Sequence, residues 1–238
     1  MNALVVALVL SAADAGQAER QLYYGEQKIS AAQLEGRTLR ELTLMRNWIY
    51  ARAGNAFRRK WLDTYFRTKD WYAPSKLDEG ALSDVDRDNA DAIAGYESKL
   101  TVEQLTKLRD AARAKGDALE LRLISVRLGG WAGDGAPPAD LSPLEDPSKL
   151  EALLTLKALD DFSPRDLKLL RNTIFARRAR PFITDDMKGH FATVTWYHPD
   201  PKYTDARLTA VDKKNVQLIK SLEDSLKVKE RPNWYGAA

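Results

Sequence analysis

Residues 38–57 read TLRELTLMRNWIYARAGNAF, and residues 163–182 read SPRDLKLLRNTIFARRARPF. The two stretches are versions of one segment, separated by 125 positions. With one residue inserted near Arg207, the register continues to Glu97 and Glu223, giving 21 identities in 60 aligned positions. The identical pairs include Arg46/Arg171, Asn47/Asn172, Arg52/Arg177, Phe57/Phe182, Phe66/Phe191, Trp71/Trp196, Tyr72/Tyr197, Pro74/Pro199, Asn89/Asn215 and Glu97/Glu223. Composition alone would give far fewer, so the chain contains a duplication.

Each copy predicts two helices around an irregular aromatic centre. The first helix opens on a capping box, Thr38-x-x-Glu41 or Ser163-x-x-Asp166, with Pro164 at the first helical position. Leu42, Met45 and Ile49, or Leu167, Leu170 and Ile174, recur at i, i+3, i+7 and form one buried stripe. Gly54 is placed to end the first helix in the left-handed conformation. Copy 2 has Ala179 there and Pro181 soon after, so its exit is expected to be built differently. The second helix starts at Ser83-x-x-Asp86 or Thr209-x-x-Asp212. Between the helices, Phe57, Phe66, Trp71 and Tyr72, with their counterparts Phe182, Phe191, Trp196 and Tyr197, are large enough to supply a core for so short a module.

The intervening sequence predicts a helical hairpin, started by Thr101-x-x-Gln104 and Asp117-x-x-Glu120 and stopped by Gly116 and Gly129-Gly130. Residues 129–147 have the Gly, Pro and Asp content of a linker. A short helix is expected from Lys149 to Leu159. The fold class is therefore mainly α: two small helical modules, joined by the hairpin and the Gly/Pro-rich linker. The expected division is 19–128 for the first module with its hairpin (motif core 38–97), 148–226 for the second (motif core 163–223), and a tail at 227–238.

The chain has 37 basic and 34 acidic residues among 238, a net charge of +3 that does not by itself call for nucleic acid or an anionic membrane. It has no cysteine, which excludes disulfides and thiolate chemistry. With two histidines, His190 and His198, a histidine-rich metal site is excluded as well. The N-terminus carries an apolar run from Ala3 to Ala12, too short to span a bilayer. With Ala13-Asp14-Ala15 or Gly16-Gln17-Ala18 as the cut, residues 1–18 read as a secretory signal, although the n-region has no Lys or Arg. The other reading is a buried N-terminal helix or strand. A periplasmic or secreted location is expected.

RNWIYARAG (Arg46 to Gly54), followed by Phe57, Tyr65-Phe66 and Trp71-Tyr72, resembles the YARHG domain, a bacterial module named after its most characteristic peptide. Copy 1 keeps Tyr50, Ala51, Arg52 and Gly54, with Ala53 in place of the His; copy 2 keeps only Ala176 and Arg177 of that peptide. The resemblance covers roughly half the chain in two pieces. It implies an extracytoplasmic setting and brings no catalytic residues.

The residues singled out as candidate partner contacts are Arg52, Trp71, Tyr72, Arg177, Arg178, Arg180, Trp196 and Tyr197. Each has a structural alternative. Arg52 and Arg177 sit where a cation meets the helix C-terminus, or could pair with Glu97 and Glu223. The four shared asparagines are expected to bond backbone groups of the irregular segment. Trp71-Tyr72 and Trp196-Tyr197 suit sugar stacking but also a core. His190 and His198, without counterparts in copy 1, are expected at the surface. Copy 2 carries 12 basic against 7 acidic residues, concentrated at Arg177, Arg178 and Arg180, whereas copy 1 is neutral.

No catalytic, cofactor or metal signature emerges. The preferred reading is an exported envelope protein, not an enzyme, whose modules bind cell-wall glycan (peptidoglycan) or an envelope protein. The alternatives are an envelope hydrolase using surface carboxylates and, ranked last, an anionic-polymer or nucleic-acid binder through copy 2. Oligomeric state is not legible.

Overall fold

A computed structural model describes residues 21–75 and 77–226. The signal-like N-terminus and the Trp234-Tyr235 tail lie outside the described residues. The first module comprises α1 (Ala31–Leu34), α2 (Leu39–Arg52), α3 (Lys60–Arg67) and α4 (Asp84–Ser98). The hairpin is α5 (Val102–Lys115) and α6 (Ala118–Leu128); the second module has α7 (Pro164–Ala176), α8 (Asp185–Phe191) and α9 (Ala210–Ser225). No strand occurs among the described residues.

The capping boxes form at Thr38, Ser83, Thr101, Ser163 and Thr209. Each hydroxyl accepts the N3 amide while the N3 side chain returns to the cap amide, which satisfies two otherwise open donors. Leu42, Met45 and Ile49 pack with Ile93 of α4, and Leu167, Leu170 and Ile174 with Ile219 of α9; all eight are buried. At about 1.5–3 kcal/mol per buried aliphatic side chain, this seam holds the two long helices of each module together. Phe57, Phe66 and Tyr72 stack beside the first seam, and Phe182, Phe191 and Tyr197 beside the second.

The repeat reaches further toward the N-terminus than the identities do. Asn89 accepts the Ile29 amide (2.7 Å) and donates to the Gln27 carbonyl (2.9 Å). Asn215 accepts the Leu154 amide (2.9 Å) and donates to the Ala152 carbonyl (2.9 Å), the same register one copy later. These asparagines therefore hold the extended segment that leads into each module, rather than the aromatic centre. Asn47 and Asn172 instead donate to Thr43 and Lys168 carbonyls, one turn back in their own helices. The Asn215 clamp also explains why the expected 149–159 helix does not form. Its backbone groups are spent on Asn215, leaving two 3-10 turns, Pro147–Glu151 and Leu156–Leu159, around an extended link.

The exit of the first helix is alike in both copies, contrary to expectation. Gly54 has φ +81° and Ala179 has φ +68°. The following amides, Asn55 and Arg180, return to the Tyr50 and Phe175 carbonyls, and the Gly54 and Ala179 carbonyls accept from Ser75 and Asp200. Those bonds hold an alanine in a conformation that costs an L-residue about 1–2 kcal/mol.

The modules pack directly on each other. Arg58 donates to the carbonyls of Phe162 (2.7 Å) and Asp160 (3.0 Å), and the Lys60 amide to Asp161 (2.6 Å). Arg59 forms a bidentate pair with Asp166, its Nε at 2.7 Å. Residues 129–147 lie along this junction: Arg113 holds the Ala132 and Gly133 carbonyls, and Leu141, Leu144 and Pro147 are buried. Buried Glu120 of α6 accepts the Leu39 and Arg40 amides (2.8 Å each), so the hairpin helix caps α2.

Candidate functional site

On the first module, the end of α2 and the turn after α3 build an exposed platform of alternating cations and rings. The Arg52 guanidinium lies 4.8 Å from the Tyr23 ring centre and 5.9 Å from that of Trp71. Trp71, 40 % exposed, packs on Trp48 at 5.4 Å and reaches Phe66 at 6.3 Å. Lys69 covers Tyr65 (4.6 Å) and Trp48 (5.6 Å). Exposed cation–ring contacts are individually weak, about 0.5–1 kcal/mol, but they hold both cations over a flat apolar surface. Tyr72 is not part of that surface. It is buried, and its hydroxyl donates to the Asn55 carbonyl (2.9 Å), closing the α2–α3 turn.

The second module repeats Tyr72 but not the platform. Tyr197 donates to the Arg180 carbonyl (2.8 Å), at the position equivalent to Asn55. Trp196 donates its indole N–H to the Gly129 carbonyl (2.6 Å) at the end of α6. The Thr193 hydroxyl meets the Arg127 carbonyl (2.7 Å), and the Thr195 amide points to that of Leu128 (3.4 Å). Thr173, His190 and Val194 replace Trp48, Tyr65 and Lys69. The face that is open in copy 1 is thus covered in copy 2 by the hairpin.

The basic cluster of copy 2 is largely neutralised. Arg177 pairs with Glu151, and Arg178 reaches Asp212 (2.7 Å) and Glu151 (3.6 Å). Arg180 lies over the Phe175 ring at 4.7 Å. Arg178 occupies the position of the His in the family peptide; in copy 1, Ala53 stands there and Tyr23 Oη approaches the matching carboxylate, Asp86, at 3.4 Å.

Arg52 and Arg177 do not pair with Glu97 and Glu223. The residues beside those acids are Arg46 and Arg171, one and a half turns earlier. Arg171 binds Glu223 at 2.8 Å. Arg46 is buried, and its environment brings it down to about 10, through burial and then the nearby Arg165. Glu97 meets Arg165 of the second module (3.2 Å), and its backbone carbonyl accepts from Arg127 (2.5 Å). Burial pushes the Glu97 carboxyl up, but Arg165, Arg127 and Arg46 together hold it at about 2.

His190 lies at this junction and not at the open surface. Burial, then Arg127 and Arg165, bring it down to about 3, so the ring is neutral. His198 is exposed.

A cleft of about 750 Å³ runs between the modules, walled by Trp61, Leu119, Leu123, Leu153 and Leu154. Its carboxylates are engaged: Asp140 and Glu145 with Arg122, Asp166 with Arg59, Asp161 with the Lys60 amide. Asp140 is held below the ordinary range by its hydrogen bond to Arg122, and Asp166, despite burial, by Arg59. Such groups stay ionised at neutral pH and are poor proton donors. Among the described residues, no three His, Asp or Glu side chains are grouped to hold a metal ion.

The family model of the YARHG domain matches residues 19–98 and 146–224, together well over half the chain. The chain belongs to the YARHG domain family. The two matched ranges begin upstream of both capping boxes, in agreement with the asparagine clamps that tie those leading segments to α4 and α9. The YARHG domain is of an extracytoplasmic bacterial type with no assigned function. No helix among the described residues is long and apolar enough to cross a membrane. Neither the curated proteins nor the solved structures contain a match.

The structure thus brings Arg52 and Trp71 together in the open and divides the other six candidates between turn closure (Tyr72, Tyr197), ion pairs (Arg177, Arg178), a cation–ring contact (Arg180) and the seat of α6 (Trp196). Tyr23, Trp48, Tyr65 and Lys69 complete the platform and were not singled out in the sequence. Comparing the copies hides them, because their counterparts are Ser148, Thr173, His190 and Val194.

Proposed function

We propose that this YARHG protein is an exported, envelope-associated binding protein that acts through one face, the Arg52–Trp71 platform of its first module. One observation carries the reading: of the two equivalent faces, one is exposed with its cation and ring in place, and the other is used inside the chain. The second module then serves as scaffold, which removes the advantage of two linked weak sites. Export is supported by the signal-like start and by the extracytoplasmic type of the domain. The engaged carboxylates of the cleft speak against a hydrolase. The ion pairs of Arg177 and Arg178 speak against a phosphate-binding patch on copy 2.

The test is retention of the purified protein on isolated envelope fragments, beside a basic control protein of matched charge. The R52A/W71A double variant is expected to lose at least tenfold in retention while R180A keeps it. Equal retention of wild type and double variant, or no retention above the control, refutes the reading.

A further inference from the structure

We infer that the Trp71 face docks the C-terminal end of a helix on a partner protein. This rests on the envelope-binding reading and names its partner. The second module displays the docking mode. There the C-terminus of α6, closed by Gly129 in the left-handed conformation (φ +77°), lies against the equivalent face. Three successive carbonyls, of Arg127, Leu128 and Gly129, meet the Thr193 hydroxyl, the Thr195 amide and the Trp196 indole. These are carbonyls a helix leaves open at its end.

The first module presents the same groups. Thr68, Asp70 and Trp71 occupy the three positions. Neither the Asp70 amide nor the Trp71 indole N–H has an acceptor among the described residues. The face also carries Lys69 where the second module has Val194, and Arg52 without a carboxylate among the described residues where Arg177 is paired. Two cations beside the ring suit the negative end of a helix dipole. A second copy of this chain is a poor occupant, because its α6 terminus is already covered and the Gly54 and Gly116 carbonyls that close α2 and α5 already accept the Ser75 and Ala118 amides. Gly129 also sets the partner's requirement: a Cβ there would fall 2.6 Å from the Trp196 indole nitrogen. The partner helix must therefore end on glycine.

The test uses the ¹⁵N-labelled full chain and a capped synthetic peptide of residues 116–130, the α6 helix with its closing glycines. Saturable shifts are expected at the Trp71 indole N–H and the Asp70 amide. The same peptide with Gly129→Ala should shift neither. Trp71→Phe, which keeps a ring but lacks the N–H, should weaken binding at least fivefold with an unchanged melting midpoint. Absence of a saturable shift up to the solubility limit, or equal shifts with both peptides, overturns the inference. Envelope fragments stripped of protein by protease separate it from the broader reading. Trp71-dependent retention that survives stripping assigns the face to glycan and sinks this inference alone. Peptide shifts without Trp71-dependent retention uphold the docking face and sink the envelope reading alone.

Discussion

Replacing Asn215 with alanine should cost the protein about as much stability as emptying a core position. The Asn215 side chain is buried, accepts the Leu154 amide and donates to the Ala152 carbonyl, both at 2.9 Å. Each bond contributes about 0.5–1.5 kcal/mol net, and each buried backbone group left without a partner costs about 1–3 kcal/mol. Water entering the vacated space recovers part of this, so the loss should be about 3 kcal/mol, roughly a hundredfold in the folding constant. With a urea m-value of about 2–3 kcal/mol/M, the unfolding midpoint should fall by about 1 M. Asn89→Ala should behave alike, since it releases the Ile29 amide and the Gln27 carbonyl. Hydrogen exchange localises the effect: the Leu154 amide should lose protection in Asn215→Ala before the α7–α9 seam does. A cost below 1 kcal/mol in both variants, or unchanged exchange at Leu154 and Ile29, would refute the clamp as the device that joins leader to module.

Ala179→Gly should raise stability by up to about 1 kcal/mol, because relief at φ +68° exceeds the added freedom of the unfolded chain; Gly54→Ala should lower it similarly, both read by urea melts. Acidification should weaken the module junction. Glu97 is held at about 2 against an ordinary 4.5, so its contribution is complete above 4.5 and lost as pH falls toward 2. His190 is held at about 3 against 6.5, so the unfolded chain takes the proton first and stability declines from pH 6.5 toward 3. A His190→Gln variant should flatten the melting-temperature profile between pH 6.5 and 4.5; an unchanged slope there would count against a neutral histidine at the junction. Arg59→Met should cost about 3–5 kcal/mol, since it leaves Asp166 buried without its cation, and Arg59→Lys should recover only part of that in chemical denaturation.

The duplication, the helix caps and the apolar stripes were all legible in the sequence, because each depends on residues within one or two turns of one another. A capping box needs a hydroxyl and a carboxylate three positions apart, and a buried stripe needs only helical spacing. The clamped leaders were not legible: between residues 21–37 and 146–162 only Glu26/Glu151 and Leu34/Leu159 are identical, since the clamp binds backbone and leaves the leader side chains unconstrained. The Ala179 exit was misread for a related reason. Local preference disfavours alanine there, but bonds to residues on both sides of it outweigh that preference.

What tertiary structure alone decided is which of two matching faces is open. Arg52 and Arg177, or Trp71 and Trp196, are identical as letters and sit at equivalent positions of the two modules. Their exposure depends on where the hairpin lies, and α6 runs against the second module's face while its Glu120 caps the first module's opening helix. Burial belongs to the packing of distant segments and leaves no local signature. The repeat therefore determined the architecture, and the asymmetric seat of one inserted helix decided that the first copy leaves its Trp at the surface while the second ties its Trp to α6.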